Sequence, residues 1–193
     1  MIQRLLILCF CILLAANSVA QQLAPEALRM KAAYEVYRKH PHASANHLAF
    51  IEAFPATKEV FMDIFNDPAL DELYKESTTY IAIFEELSRS YPIQTLPKAV
   101  AIGKKLVYSD WQAAGMQRAL LYLAANNTDS FAVQVNKLQK KERPGVAKFL
   151  ADSDKPAAEY DKITDNLQKA KQTKLAAMFV QARDERQKQK KID

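Results

Sequence analysis

Cysteine is nearly absent from this chain of 193 residues, and the position of the two cysteines matters more than their number. Cys9 and Cys11 both lie within the first twenty residues. Arg4, a following apolar run and the small residues that end at Ala20 together have the pattern of a secretory signal peptide. The sequence therefore predicts cleavage after Ala20 and a mature chain without disulfides, thiolate zinc ligands or a cysteine nucleophile.

The apolar run of the signal is too short for a membrane anchor. It extends from Leu5 to Ala16, whereas a membrane-spanning helix needs roughly 20 apolar residues. We therefore expect no transmembrane span after cleavage. The predicted organisation is a signal peptide at 1–20, a single domain at 21–182 and a separate tail at 183–193, in a protein of the periplasm or the extracellular space.

Glycine is also scarce, with three residues in the whole chain. Hairpins and strand bulges need glycine for backbone conformations with positive φ, and phosphate-binding loops need it for close backbone approach. Strands and nucleotide chemistry are therefore disfavoured, and helices remain. The fold class predicted is all-α: an irregular multi-helix bundle or a short HEAT-like superhelical stack, of about nine helices. No internal repeat selects the second arrangement.

Prolines and apolar spacing indicate where the helices lie. Most of the eight prolines stand where a proline can open a helix, because the first-turn amide has no partner there. Apolar residues recur at intervals of three and four between them, as in Phe131, Val135 and Leu138. Asn126 and Asn127 are typical of a helix end, and Thr128 is predicted to cap the helix that follows.

The net charge of +5 is unevenly distributed. Residues 21–167 are nearly neutral, with 18 Lys and Arg against 19 Asp and Glu, whereas residues 168–193 have 8 against 3. The basic character therefore belongs to the C-terminal end, and we expect no nucleic-acid partner. Residues 183–191 have no apolar side chain, and the tail at 183–193 is predicted to be disordered, either as a solubilising end or as a contact for anionic surfaces.

All three histidines fall within eight residues, as His40, His42 and His47. Together with a carboxylate such as Glu52, they could bind Zn or Cu, because imidazole is the most common metal ligand. Two simpler roles compete with this hypothesis. His40 suits the C-terminal end of a helix, and His47 precedes Leu48 and can line a core face.

Several neighbouring carboxylates are candidates for acid and base catalysis. They are Glu85 with Glu86, Asp71 with Glu72, and Asp152 with Asp154. Adjacent residues on a helix point in different directions, so sequence proximity alone does not make a catalytic pair. A hydrolase that acts on an envelope polymer would need two carboxylates across one cleft. No serine stands in a recognisable nucleophile motif.

Aromatic residues are spread over the predicted helices, with nine Phe, eight Tyr and one Trp. The series Phe50, Phe54, Phe61 and Phe65 has helical spacing, which is what a packed core requires. An exposed aromatic face would instead bind a protein or a peptide. Core packing is the preferred interpretation, and the aromatic binding face is kept as an alternative.

The order of several short blocks resembles a group of small exported all-helical proteins of Bacteroidota. The blocks are His47–Pro55, Leu73–Glu76, the segment around Trp111 and Phe149–Asp152. The resemblance covers roughly residues 44–160. It implies a bacterial envelope location and a helical fold, and it transfers no active residue to this chain.

The function predicted from the sequence is that of a non-enzymatic interaction module of the bacterial envelope. Missing catalytic motifs and abundant helical faces are its basis. Two alternatives remain open, namely metal binding through His40, His42 and His47, and hydrolysis of an envelope polymer.

Overall fold

The computed structural model describes residues 24–70, 72–107, 112–152 and 157–189. In these ranges the chain forms eleven α-helices and one short 3₁₀ helix at Pro68–Leu70, without any strand, and 82% of the residues are helical. The α-helices are α1 (Pro25–Lys39), α2 (Ser44–Ala53), α3 (Lys58–Phe65), α4 (Glu72–Lys75), α5 (Ser77–Ser90), α6 (Pro92–Gly103), α7 (Ala113–Asn126), α8 (Thr128–Lys137), α9 (Arg143–Ala151), α10 (Ala157–Lys169) and α11 (Thr173–Gln189). The all-α prediction is confirmed, with more helices than the nine expected.

Prolines mark several helix starts as predicted. Pro25 and Pro92 are the first residues of α1 and α6, and Pro144 is the second residue of α9. Pro97 differs, because it lies inside α6. It has no N–H to donate to the carbonyl of Ile93, four residues earlier, so that carbonyl lacks its usual helical partner.

Helix α7 is the centre of the molecule. Ten of its fourteen residues are buried, and it contacts α5, α6, α8, α9 and α10. Gly115 allows one of these contacts, because a Cβ there would lie 2.5 Å from Cγ2 of Ile81 on α5. A helix with neighbours on so many sides is buried in the centre of the core.

The larger aromatic residues fill the interior. In the N-terminal half the rings of Phe54 and Phe84 stack with centroids 4.0 Å apart. In the C-terminal half Phe131 meets Phe179 edge to face at 5.8 Å. The hydroxyl of Tyr160 donates a hydrogen bond to the carbonyl of Phe179 at 2.7 Å, and burial raises the pKa of this tyrosine above its usual range.

The C-terminal end of the chain is more ordered than its sequence predicts. Disorder was expected from residue 183, but α11 continues without interruption to Gln189. Arg183 forms an ion pair with Asp161 on α10, and Nε of Arg186 lies 2.6 Å from Oδ1 of Asp152 at the end of α9. These ion pairs hold the end of α11 against α9 and α10, although this part of the helix has few apolar residues. Residues 190–193 lie outside the described part of the chain.

Some predictions fall on residues that the structure does not describe. They are the signal peptide at 1–20 and the segment around Trp111.

None of the helices in the described ranges is both long enough and apolar enough to cross a membrane.

Candidate functional site

The histidines of the predicted metal site lie at the junction of α1 and α2. His40 and His42 are exposed in the connection, and the backbone N–H of His40 donates to the carbonyl of Tyr37 at 3.1 Å, which closes the end of α1. His47 lies on α2. Its ring packs between Tyr37 and Tyr91, with centroid distances of 5.7 Å and 5.6 Å.

Both ring nitrogens of His47 have partners within the protein. Nε2 lies 2.6 Å from the carbonyl oxygen of Pro41, and Nδ1 lies 3.1 Å from the hydroxyl of Tyr91. A carbonyl oxygen can only accept, so Nε2 carries the proton and the tyrosine hydroxyl donates to Nδ1 of the neutral ring. A metal ion would have to displace one of these two contacts.

Glu52, the carboxylate considered with the histidines, lies five residues after His47 on α2 and is therefore rotated by about 140° around the helix. Over the described ranges, no group of three or more His, Cys, Asp or Glu side chains is arranged to hold a metal ion. The Zn or Cu site therefore stays a prediction, and any such site would need the connection between α1 and α2 to rearrange.

One member of each candidate carboxylate pair has a cation partner on another helix. Arg118 on α7 binds both carboxylate oxygens of Glu85, at 3.1 and 2.9 Å from Nε. Glu72 pairs with Lys31, and Asp152 pairs with Arg186. Asp71 and Asp154, the other members of two pairs, lie outside the described residues. Each partnered carboxylate thus links two helices, which is a structural role.

Two carboxylates not singled out from the sequence line one open depression of about 620 Å³. They are Asp63 and Asp67, one helical turn apart near the end of α3. Oδ1 of Asp67 accepts the N–H of Ala69 at 2.9 Å and so starts the short 3₁₀ helix. Asp67 therefore has the structural role of a turn residue. The depression is open and does not provide the deep cleft that hydrolysis of a polymer requires.

Lys98 is a further residue that sequence reasoning missed. Its ammonium donates to the carbonyls of Glu52 at 3.0 Å and Phe54 at 2.5 Å, where α2 ends. Burial lowers the pKa of Lys98 below its usual range. A cation at this position satisfies carbonyls that have no helical partner and complements the negative end of the helix dipole, so its role is structural.

The aromatic series is part of the core. Phe50, Phe54, Phe61 and Phe65 each have a relative exposure of 0%. The preferred interpretation of this series is confirmed, and these four side chains offer no binding face. The large apolar side chains that are exposed in the described ranges are instead aliphatic: Leu28, Val36, Leu48, Ile93, Val107 and Val133.

Two of these aliphatic side chains line a common groove between α6 and α8. Ile93 is 77% exposed and Val133 is 52% exposed, whereas Leu96 between them is 1% exposed. Asp129, Ser130 and Gln134 complete the lining of this groove, which has a volume of about 240 Å³. We call these six residues the α6/α8 groove. Its apolar centre and polar edge resemble a small protein-binding surface.

Local sequence explains how the groove is built. Pro92 is the first residue of α6, so Ile93 stands in a first turn whose outer side faces solvent. Helix α8 buries Phe131, Ala132 and Val135 and leaves Val133 on its outer face. The helix end at Asn126 and Asn127 is confirmed, but the Thr128 hydroxyl donates back to the carbonyl of Ala124 at 2.9 Å and does not cap α8.

Comparison of the chain with models of known families, with curated proteins and with solved structures finds no match.

Proposed function

We propose that this chain is an exported, non-enzymatic interaction module of the bacterial envelope, and that it binds protein through the α6/α8 groove. The signal-like segment at 1–20 is the basis for the location. The observation that carries the binding proposal is the exposure of Ile93 and Val133 on one groove with the buried Leu96 as its floor.

Single exposed aliphatic side chains are common on soluble proteins and need no explanation. Two on the same groove are different, because one partner can cover both and remove them from water together. Burial of apolar surface contributes about 25 cal/mol per Å², so two such side chains supply useful binding energy. The polar groups of Asp129, Ser130 and Gln134 at the edge add hydrogen-bonding positions and hence orientation.

The groove also replaces the aromatic binding face that the sequence suggested. The Phe series that suggested it is in the core, while Ile93 and Val133 remain accessible. A protein partner that buries aliphatic side chains fits this surface better than a sugar, which would need an exposed ring for stacking.

The proposal is tested by placing a photo-activated cross-linking residue at position 133 in envelope preparations from cells that make the protein. The partner captured in this way is purified without the cross-link, and its binding to this chain is then measured by calorimetry. Ile93→Asp is expected to weaken that binding at least about tenfold, because it places a charge in the apolar contact. Asp suits the first turn of a helix, so α6 should remain folded.

Leu48→Asp is the matched control, since Leu48 is also an exposed aliphatic residue, on α2. It should leave the affinity unchanged. Equal affinity of wild type and Ile93→Asp would overturn the proposal, and so would cross-linked products that appear just as readily with the cross-linker at position 48.

A further inference from the structure

Three exposed residues form a line along the outer face of α8. Asp129, Val133 and Lys137 are spaced by four residues, so each lies about 6 Å from the next along the helix axis. Asp129 is in the first turn and Lys137 in the last turn. Neither side chain forms an ion pair within the described part of the chain, so both charges are available to a partner.

The charges along this line are complementary to those of a second copy of α8 that runs in the opposite direction. An antiparallel copy of α8, related by a twofold axis at Val133, places Lys137 opposite Asp129 at both ends at once. A parallel copy places like charges opposite each other. Twofold symmetric contacts of this kind are the most common way in which identical chains associate.

The exposed apolar side chains lie close to this twofold axis. Val133 is on the symmetry axis of this arrangement, and Ile93 is exposed on the neighbouring wall of the α6/α8 groove. Two copies would therefore bring four aliphatic side chains together between two pairs of opposite charges. An apolar centre with a charged edge is the usual anatomy of a protein interface.

We propose that the partner bound at the α6/α8 groove is a second copy of this chain. The two α8 helices lie antiparallel, and Asp129 of each copy pairs with Lys137 of the other. This inference rests on the proposed function, which assigns protein binding to the groove, and it adds the identity and the orientation of the partner.

The size of the contact limits its strength. Helix α8 has ten residues and is about 15 Å long, so two such helices bury less than the roughly 1,200 Å² of a stable interface. The dimer is therefore weak and depends on concentration. Because both charges are exposed, added salt weakens the pairing.

Charge reversal tests the arrangement by analytical ultracentrifugation from about 10 µM to about 1 mM protein at low salt. Asp129→Lys and Lys137→Asp should each weaken the dimer at least about tenfold, because like charges then face each other. An equimolar mixture of the two variants should associate as a heterodimer, since both pairs in that complex have opposite charges. The double variant Asp129→Lys with Lys137→Asp should also recover association.

Both reversals act against the dipole of α8, so helix content by circular dichroism is recorded for every variant. Asp165→Lys is the control, because Asp165 is exposed on α10 and should not affect association. Recovery in the mixture of variants, with unchanged helix content, is the result that supports the antiparallel pairing.

The failures of the two proposals can be told apart. A wild-type protein that stays monomeric at about 1 mM overturns the dimer, and so does a dimer that the charge reversals leave unchanged. If a different protein then cross-links at position 133 and Ile93→Asp abolishes its binding, the proposed function stands without the dimer. If neither this chain nor another protein binds at the groove, both proposals are wrong.

Discussion

Gly145 on α9 packs directly against the backbone carbonyl of Lys104 at the end of α6. A Cβ at position 145 would lie 1.9 Å from that oxygen. The Nζ of Lys104 also lies 2.9 Å from Oε1 of Glu142, so a side-chain contact reinforces the backbone contact at the start of α9. The two helices therefore meet here as closely as their backbones allow.

Gly145→Ala is expected to destabilise the protein by about 1–3 kcal/mol, because α9 has to move away from α6. Helix propensity alone predicts the opposite sign, since alanine is favoured over glycine in a helix by about 1 kcal/mol. Urea denaturation measures the difference. Gly103→Ala is the control with the smaller expected loss, because its nearest atom is the terminal Cδ2 of Leu120, at 2.8 Å. A Gly145→Ala variant as stable as wild type would contradict the close contact.

Lys171 adopts a left-handed backbone conformation, with φ of 58°, between α10 and α11. The N–H of Gln172 donates to the carbonyl of Leu167 at 2.8 Å, and that of Lys171 donates to Gln168 at 2.9 Å. This pair of bonds is the Schellman motif, whose left-handed position is usually glycine.

Lys171→Gly is expected to raise the free energy of unfolding by about 1 kcal/mol, because glycine has no Cβ to clash in this conformation. For a chain of this length, that corresponds to an increase of about 2–4 °C in the unfolding midpoint by calorimetry. Lys171→Ala keeps the Cβ and should give no such gain. An equal gain in both variants would show that the lysine side chain, and not the backbone conformation, is responsible.

Sequence patterns predicted the helices because their causes are local. Pro25 and Pro92 open helices through the missing N–H of proline. Phe61 and Phe65 are four residues apart on α3 and are buried on one face of that helix, as their spacing predicts. Docking of residues 183–189 was not predictable in this way. It depends on Asp161 and Asp152, which are distant in sequence and come near the C-terminal helix only in the folded chain.

The α6/α8 groove was also missed, for a related reason. The exposure of Ile93 depends on how α6 packs against α8, and no local pattern encodes that. The line of Asp129, Val133 and Lys137 was visible in the sequence as an apolar residue between two opposite charges at helical spacing. This line indicates an interface only when it is combined with the structure, in which Val133 and Ile93 line the same groove.

Glu59 and Lys105 connect the start of α3 to the chain after α6, with Nζ 2.8 Å from Oε1. The hydrogen bond from Lys105 lowers the pKa of Glu59 from 4.5 to about 2. A lowered pKa in the folded state means that the carboxylate stabilises the fold above its ordinary pKa. This stabilisation is lost as the pH falls from 4.5 to about 2.

Glu59→Gln should therefore be less stable than wild type near neutral pH, and the difference should shrink on acidification. Chemical denaturation at a series of pH values measures it, and the titration of the Glu59 carboxyl by NMR gives its pKa directly. A difference between the two proteins that stays constant down to pH 2 would contradict this account.

The ion pair of Arg186 with Asp152 predicts that the C-terminal end contributes to stability. Asp152→Asn keeps the side-chain shape and removes the charge, and it should lower the free energy of unfolding by up to about 1 kcal/mol. The loss should be largest at low salt, because salt screens the pair in wild type. Asp165→Asn, on the exposed face of α10, should have no effect. If Asp152→Asn and wild type are equally stable at low salt, the ion pair does not stabilise the fold, and the solubilising role predicted from the sequence is favoured for the end of α11.

His47 provides a spectroscopic test of the histidine cluster. Because the Pro41 carbonyl can only accept, the neutral ring should be the Nε2–H tautomer, which ¹⁵N NMR of the imidazole identifies. Tyr91→Phe removes the donor to Nδ1 and should shift that nitrogen while the Nε2 proton remains. A ring found in the Nδ1–H tautomer would contradict the contact with Pro41.

The same signals decide whether His47 binds a metal ion. Zn²⁺ held by His40, His42 and His47 has to take a nitrogen from either Pro41 or Tyr91, so the nitrogen that binds must lose its present signal during titration. If the signals of His40 and His42 change while both nitrogens of His47 stay as they are, any bound zinc is held by the exposed connection alone. A two-histidine site without a third protein ligand falls short of the usual zinc coordination, so His47 is the residue on which the metal hypothesis depends.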